Sequence, residues 1–189
     1  MNNPKQLTFP WNKSYKSSFN NFYVDPANAQ LISSIQTDFS SENLYIFGVK
    51  NSGKTYLLQS LCNLYSNKNK SVLFLPLKEV MTYGTEILDA IENMDLVCID
   101  GMEEIVGVSD WETAVFNLIN NSLQSGCKII FTSSIEKGAT KFSLPDLDSR
   151  IRKLESFELF PISDHHILDA LKHIANLRSI NLGDNEAQY

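Results

Sequence analysis

Residues 48–55 read Gly48-Val49-Lys50-Asn51-Ser52-Gly53-Lys54-Thr55, between an apolar strand and a helical run. The strand is Asn43-Leu44-Tyr45-Ile46-Phe47, and the helix carries Tyr56, Leu57, Leu58, Leu61, Cys62, Leu64 and Tyr65 at helical spacing. No other feature constrains the fold as strongly, because this pattern works through backbone geometry. Glycines let the chain wrap close to phosphate oxygens, loop N–H groups point inward, and the helix N-terminus adds partial positive charge. Gly48, Val49, Lys50, Asn51, Ser52 and Gly53 would form this cradle, with Tyr56 directly after it. Lys54 would reach the outer phosphates of ADP or ATP, and Thr55 would place its hydroxyl on Mg²⁺.

The rest of the chain repeats the strand–helix alternation. Strands are predicted near 44–48, 71–75, 95–100, 127–132 and 156–160. Helices are predicted near 26–40, 54–66, 84–93, 109–124, 145–152 and 163–178. The strand cores Val72-Leu73-Phe74-Leu75, Leu96-Val97-Cys98-Ile99 and Ile129-Ile130-Phe131 are continuously apolar, as strands covered on both faces should be. The expected fold is therefore α/β, a five-stranded and mainly parallel sheet sandwiched between helix layers, with its ligand at the carboxyl ends of the strands.

Composition removes several alternatives. A net charge of −6 argues against broad binding to a nucleic-acid backbone, which needs a basic face. No apolar run approaches the roughly 18 residues that span a bilayer. The start, Met1-Asn2-Asn3-Pro4-Lys5, lacks the layout of a secretion signal, so a cytoplasmic protein is expected. Cys62, Cys98 and Cys127 lie in apolar stretches without metal-ligand spacing and read as buried free thiols. His165, His166 and His173 read as solvated or packed.

A second acidic element follows at Met94-Asp95-Leu96-Val97-Cys98-Ile99-Asp100, an apolar strand ending in a carboxylate that would bind Mg²⁺ directly or through water. The next residue is Gly101, where many ATPases of this class carry the acid that polarises the attacking water. Glu103 and Glu104 are near but read as solvated or helix-terminal acids, so nucleotide binding is expected and efficient turnover is not.

With these elements placed, the chain resembles the AAA+ modules of the bacterial replication initiator DnaA and its relatives. Ser18-Phe19-Asn20-Asn21-Phe22-Tyr23-Val24 with Asn28, the loop at Gly48, Leu57-Leu58-Gln59-Ser60-Leu61-Cys62, Asp110-Trp111-Glu112 with Phe116 and Asn120, and Leu144-Pro145-Asp146-Leu147-Asp148-Ser149-Arg150 carry it in order. Leu75-Pro76-Leu77, Cys98-Ile99-Asp100, Trp111-Glu112 and the segment before Arg150 are most similar to the shorter, Hda-like regulators. The resemblance implies Phe22 and Val24 beside the nucleotide and Arg150 as an arginine finger acting on a neighbouring subunit's γ-phosphate. Spacing alone favours a surface salt bridge of Arg150 with Asp146 or Asp148 over that role, and Arg152 competes for it. Gln6-Leu7-Thr8-Phe9-Pro10-Trp11 resembles the peptide that docks on the DNA polymerase III sliding clamp. There Gln6 would hydrogen-bond at the pocket mouth, Leu7, Phe9 and Trp11 would anchor, and Pro10 would lower the ordering cost.

The resemblance also divides the chain into a flexible clamp-binding segment (1–17), a nucleotide-binding domain (18–160) and a truncated helical lid (161–189). Ser134 stands where initiator relatives tend to carry an acid that senses the γ-phosphate. The function expected is regulation of replication initiation: a nucleotide-bound chain, with ADP favoured, docked on the clamp and presenting Arg150 to ATP-bound DnaA. A homodimer is a candidate assembly. The competing functions are an autonomous AAA+ ATPase of helicase-loader or initiator type, a small-molecule kinase, and a binding module with a vestigial site.

Overall fold

The computed structural model describes residues 17–36, 43–136, 138–139 and 141–180, so the sequence expectation for Gln6–Trp11 lies outside the described residues. Five strands, β1 (Asn43–Phe47), β2 (Val72–Pro76), β3 (Leu96–Asp100), β4 (Lys128–Ser133) and β5 (Glu155–Glu158), form one sheet in the order β2-β3-β4-β1-β5. All four pairings are parallel. The helices are α1 (Ala29–Gln36), α2 (Lys54–Asn67), α3 (Leu77–Val80), α4 (Ser109–Ser125), α5 (Pro145–Lys153) and α6 (Ile167–Leu177).

Side chains alternate across each strand, so one sheet feeds two cores. Leu44, Ile46, Leu96, Cys98 and Ile130 join Leu57, Leu58 and Leu61 of α2 and Leu31, Ile32 and Ile35 of α1. Tyr45, Val97, Ile99, Ile129 and Phe131 join Val115, Leu118 and Ile119 of α4 and Leu147 and Ile151 of α5. The result is the expected P-loop αβα sandwich. Cys62, Cys98 and Cys127 are buried and free, as expected. Among the described residues no helix is long and apolar enough to cross a membrane.

The helix expected over 84–93 does not form. Two 3₁₀ turns, Thr85–Leu88 and Ile91–Asn93, occupy that stretch, after the short α3. Gly84 at φ +89° and Ala90 at φ +61° interrupt any helical path, yet Leu88 and Ile91 still reach the core. The first and last helices are also shorter than expected: α1 is preceded by a 3₁₀ turn at Pro26–Asn28 and α6 by one at Asp164–His166.

Two buried polar residues fasten the segment before α1 to the chain after β5. Asn28, 3 % exposed, donates from Nδ2 to the Phe160 carbonyl and accepts from the Phe160 N–H, each at 2.9 Å. Asp25, equally buried, accepts from Ser163 N–H and Oγ–H at 3.0 Å and from Ala27 N–H at 3.0 Å, with His166 Nδ1 at 3.2 Å. The Ser163 and then the Ala27 N–H bonds hold the Asp25 carboxyl at about 2, against the burial that opposes ionisation. A depressed folded-state pKa gives stability that is complete above the ordinary aspartate range, roughly pH 4, and is lost as pH falls through the folded value. Urea midpoints are therefore expected to fall between pH 4 and pH 2. Asp25→Asn should be less stable at pH 6 and show a flatter dependence in that window; an unchanged slope would remove Asp25 from the acid response.

Candidate nucleotide site

Sheet register sets the site before any side chain does. Pro76, Asp100, Thr132 and Ile46 lie in one row across β2, β3, β4 and β1, so the strands end together and Gly48 and Gly101 leave on either side of β4. Gly48 N–H donates to Ser133 O at 3.2 Å, and Gly101 N–H donates to Thr132 O at 3.1 Å. The loop then turns through Asn51 at φ +68° and Gly53 at φ +100°, and α2 begins at Lys54. Gly53 fits that conformation without the strain a side chain would bring. Ser52 N–H closes the turn on Val49 O at 3.1 Å.

Gly48 is required for a different reason, close approach. A Cβ there would fall 2.3 Å from Leu159 O and 2.9 Å from Ser52 Oγ, while Leu159 N–H donates to Phe47 O at 2.7 Å. Both the β5 exit and the loop would have to move. Gly48→Ala is expected to cost about 1–3 kcal/mol by overpacking and to lower nucleotide affinity as the loop shifts. Thermal unfolding together with fluorescent-nucleotide titration checks both effects.

Lys54 is 9 % exposed, and its ammonium donates to Gly48 O at 2.7 Å and Val49 O at 2.8 Å. Burial lowers its pKa, and the Glu103 and Asp100 carboxylates oppose that shift. Thr55 Oγ–H donates to Asp100 Oδ2 at 2.6 Å, and Thr132 Oγ–H donates to the other carboxylate oxygen. Hydroxyl and carboxylate oxygens are the hard ligands Mg²⁺ takes, so Thr55 and Asp100 fit the ion. Among the described residues no group of three or more His, Cys, Asp and Glu side chains gathers at a competing metal position.

These residues open on a cavity of about 890 Å³. Lys50, Asn51, Gly53, Lys54, Thr55 and Tyr56 line one side, and Asp100, Gly101, Glu103, Glu104 and Ser134 another. Phe22 stacks on Tyr56 with ring centroids 5.7 Å apart and lies against Gly53, while Val24 is partly buried and packs against the core cluster that α1 and α2 share. Phe22 therefore sits beside the loop, whereas neither it nor Val24 lines the cavity.

Of the two expectations for Glu103, the helix-terminal one holds: it lies in the first turn of the 3₁₀ helix Met102–Ile105, half-buried rather than simply solvated, and it accepts from Ser134 N–H at 3.1 Å and from Ser134 Oγ–H. Its only sequence signal was nearness to Asp100, because its partner Ser134 lies just past the end of β4. Glu104, in contrast, is exposed at the rim.

Arg150 lies on α5 outside the cavity of its own chain. The salt bridge that competed with its assigned role goes to its neighbour: Arg152 Nε donates to Asp148 Oδ2 at 2.6 Å, and Arg152 Nη2 donates to Gly138 O at 3.3 Å. Among the described residues, Arg150 has no hydrogen bond or ion pair. Sequence reasoning gave Glu112 no role. It is 0 % exposed and accepts from Gly107 N–H at 2.7 Å, Ser143 N–H at 3.0 Å and Leu144 N–H at 2.7 Å, fixing the entry to α5.

Comparison with known proteins matches this geometry. Residues 40–168 fit the family model described as AAA domain. An uncharacterized protein of Haemophilus influenzae is 31% identical over 189 residues, which is 98% of this chain and 81% of that protein. Domain III of the Thermotoga maritima replication initiation protein DnaA superposes with a TM-score of 0.74 at 22% identity, over 90% of this chain and 78% of that one. AMPPCP-bound DnaA from Aquifex aeolicus gives 0.78 at 20% identity, over 93% and 59%. At such identities the structural likeness speaks for the fold.

Proposed function

Because the chain belongs to the AAA domain family, we propose that it is a nucleotide-binding regulator of replication initiation that acts on a neighbouring ATPase in trans. The loop from Gly48 to Thr55, with Tyr56 and Phe22 beside it and Val24 supporting from the core, holds ADP or ATP. Thr55 and Asp100 hold Mg²⁺. Bound nucleotide, with ADP favoured, shapes the surface on which Arg150 meets ATP-bound DnaA. Gln6, Leu7, Phe9, Pro10 and Trp11 tether the chain to the sliding clamp, so that stimulation follows clamp loading. A homodimer that hides the same surface would be the resting form, and the cytoplasm is its compartment.

The observation that supports this role best is the division of labour on α5. Arg152 is held by Asp148 and Gly138, whereas Arg150 has no hydrogen bond or ion pair among the described residues and does not line its own chain's cavity. Arginine is suited to a γ-phosphate because its planar fork stays charged and donates to two oxygens at once. The test is ATP hydrolysis by DnaA on clamp-loaded DNA with this protein, with its Arg150→Ala variant and with its Gln6→Ala variant. Stimulation lost in both variants supports the role; stimulation equal to wild type in either removes the corresponding contact.

A second function, an autonomous ATPase, is favoured by one feature, the Glu103 carboxylate lining the cavity beside Lys54 and Asp100.

A further inference from the structure

Gly101 denies the site an acid directly after Asp100, but it also redirects the chain. Its φ of 89° and ψ of 51° are left-handed, and Glu104 N–H closes on Gly101 O at 2.9 Å. The 3₁₀ turn Met102–Ile105 that follows is anchored by Met102 and Ile105, both fully buried. This turn carries Glu103 back to the end of β4, where Ser134 grips both carboxylate oxygens. Burial pushes the Glu103 carboxyl up, but the Ser134 hydrogen bonds and the local backbone N–H groups outweigh it and hold the group below the ordinary glutamate range. Glu103 is thus ionised at neutral pH, fixed in orientation, and lines the same cavity as Lys54, Thr55 and Asp100.

We propose that Glu103 is the catalytic base of this site, taking the place of the acid that Gly101 lacks, with Ser134 as its positioning residue. The proposal rests on the nucleotide-site assignment above. A water held by Glu103 attacks the γ-phosphorus of Mg·ATP while its proton passes to the carboxylate. The bond from the γ-phosphorus to the bridging oxygen breaks, and its electron pair leaves with ADP. The proton then moves from Glu103 to the phosphate product, restoring the carboxylate. A slow turnover of this kind leaves the chain holding ADP, the nucleotide favoured for the regulatory role.

The test is single-turnover hydrolysis of γ-labelled Mg·ATP by the full chain, with fluorescent-ATP binding measured in parallel. Glu103→Gln keeps acceptor oxygen for Ser134 and should slow hydrolysis by about 10²–10⁴-fold, the usual value of a positioned base, with affinity essentially unchanged. The wild-type rate should decline on an acid limb that the glutamine variant lacks, a change that a merely structural Glu103 would not produce. Ser134→Ala should lower the rate less than Glu103→Gln does and shift that limb. Hydrolysis by Glu103→Gln at the wild-type rate overturns the proposal. So does a wild-type chain that binds ATP without cleaving it. Absence of nucleotide binding by the wild type would overturn the site assignment as well.

Discussion

Replacing Arg150 by alanine is expected to abolish stimulation of DnaA by this chain while leaving its fold and its own nucleotide affinity intact. An arginine delivered to the γ-phosphate of a neighbouring site contributes about 10³–10⁵ in rate, so the loss should bring hydrolysis close to the unstimulated level. The structural cost is small because Arg150 has no ion pair or hydrogen bond among the described residues. Partly exposed side chains of that kind usually change stability by about 0.5 kcal/mol or less. Arg152→Ala is the informative contrast. It removes a surface i,i+4 pair worth about 0.3–0.5 kcal/mol and should leave stimulation within a few-fold of wild type. ATPase assays on DnaA with each variant, beside thermal unfolding of the variants alone, separate the two residues. A reversed ranking would make Arg152 the acting residue.

Glu112→Ala should be among the most destabilising single changes in the chain, at about 3–5 kcal/mol. The carboxylate is fully buried and serves three backbone N–H groups from two loops, those of Gly107, Ser143 and Leu144. Truncation orphans all three, at about 1–3 kcal/mol each, and water entering the space left behind recovers part of that cost. Glu112→Gln keeps one acceptor oxygen and should lose less than half as much. Urea unfolding measures both variants, and a loss under about 1 kcal/mol for the alanine variant would show that the loops hold themselves. The change also reaches function. Leu144 precedes Pro145 at the start of α5, so loosening this entry frees the helix that carries Arg150. Glu112→Gln should then reduce stimulation of DnaA more than it reduces nucleotide binding.

What was legible in the sequence was local or periodic. The phosphate loop declares itself through residue type at fixed spacing, and its strand and helix followed within a residue at either end. Continuous apolar strand cores foretold a sheet covered on both faces, and every pairing proved parallel. The failure at 84–93 has the same origin. Leu88 and Ile91 have the spacing of a helix face, but two 3₁₀ turns bring them to the core just as well, because burial rewards position rather than the path taken.

Contacts between distant segments were decided only by the tertiary structure. Asn28 meets Phe160, Glu103 meets Ser134, and Glu112 holds Ser143 and Leu144; in none of these pairs does one residue type call for the other across such separations. Arg150 and Arg152 are the sharpest case, being the same residue type two positions apart. The helix turns roughly 200° between them, so one faces Asp148 and the other does not. The sequence alone determined that a glycine-bounded loop joins a strand to a helix at the end of the sheet, since backbone geometry there follows from local residue type. Which carboxylate shares a cavity with that loop, and which arginine pairs with Asp148, was decided only by the folded chain.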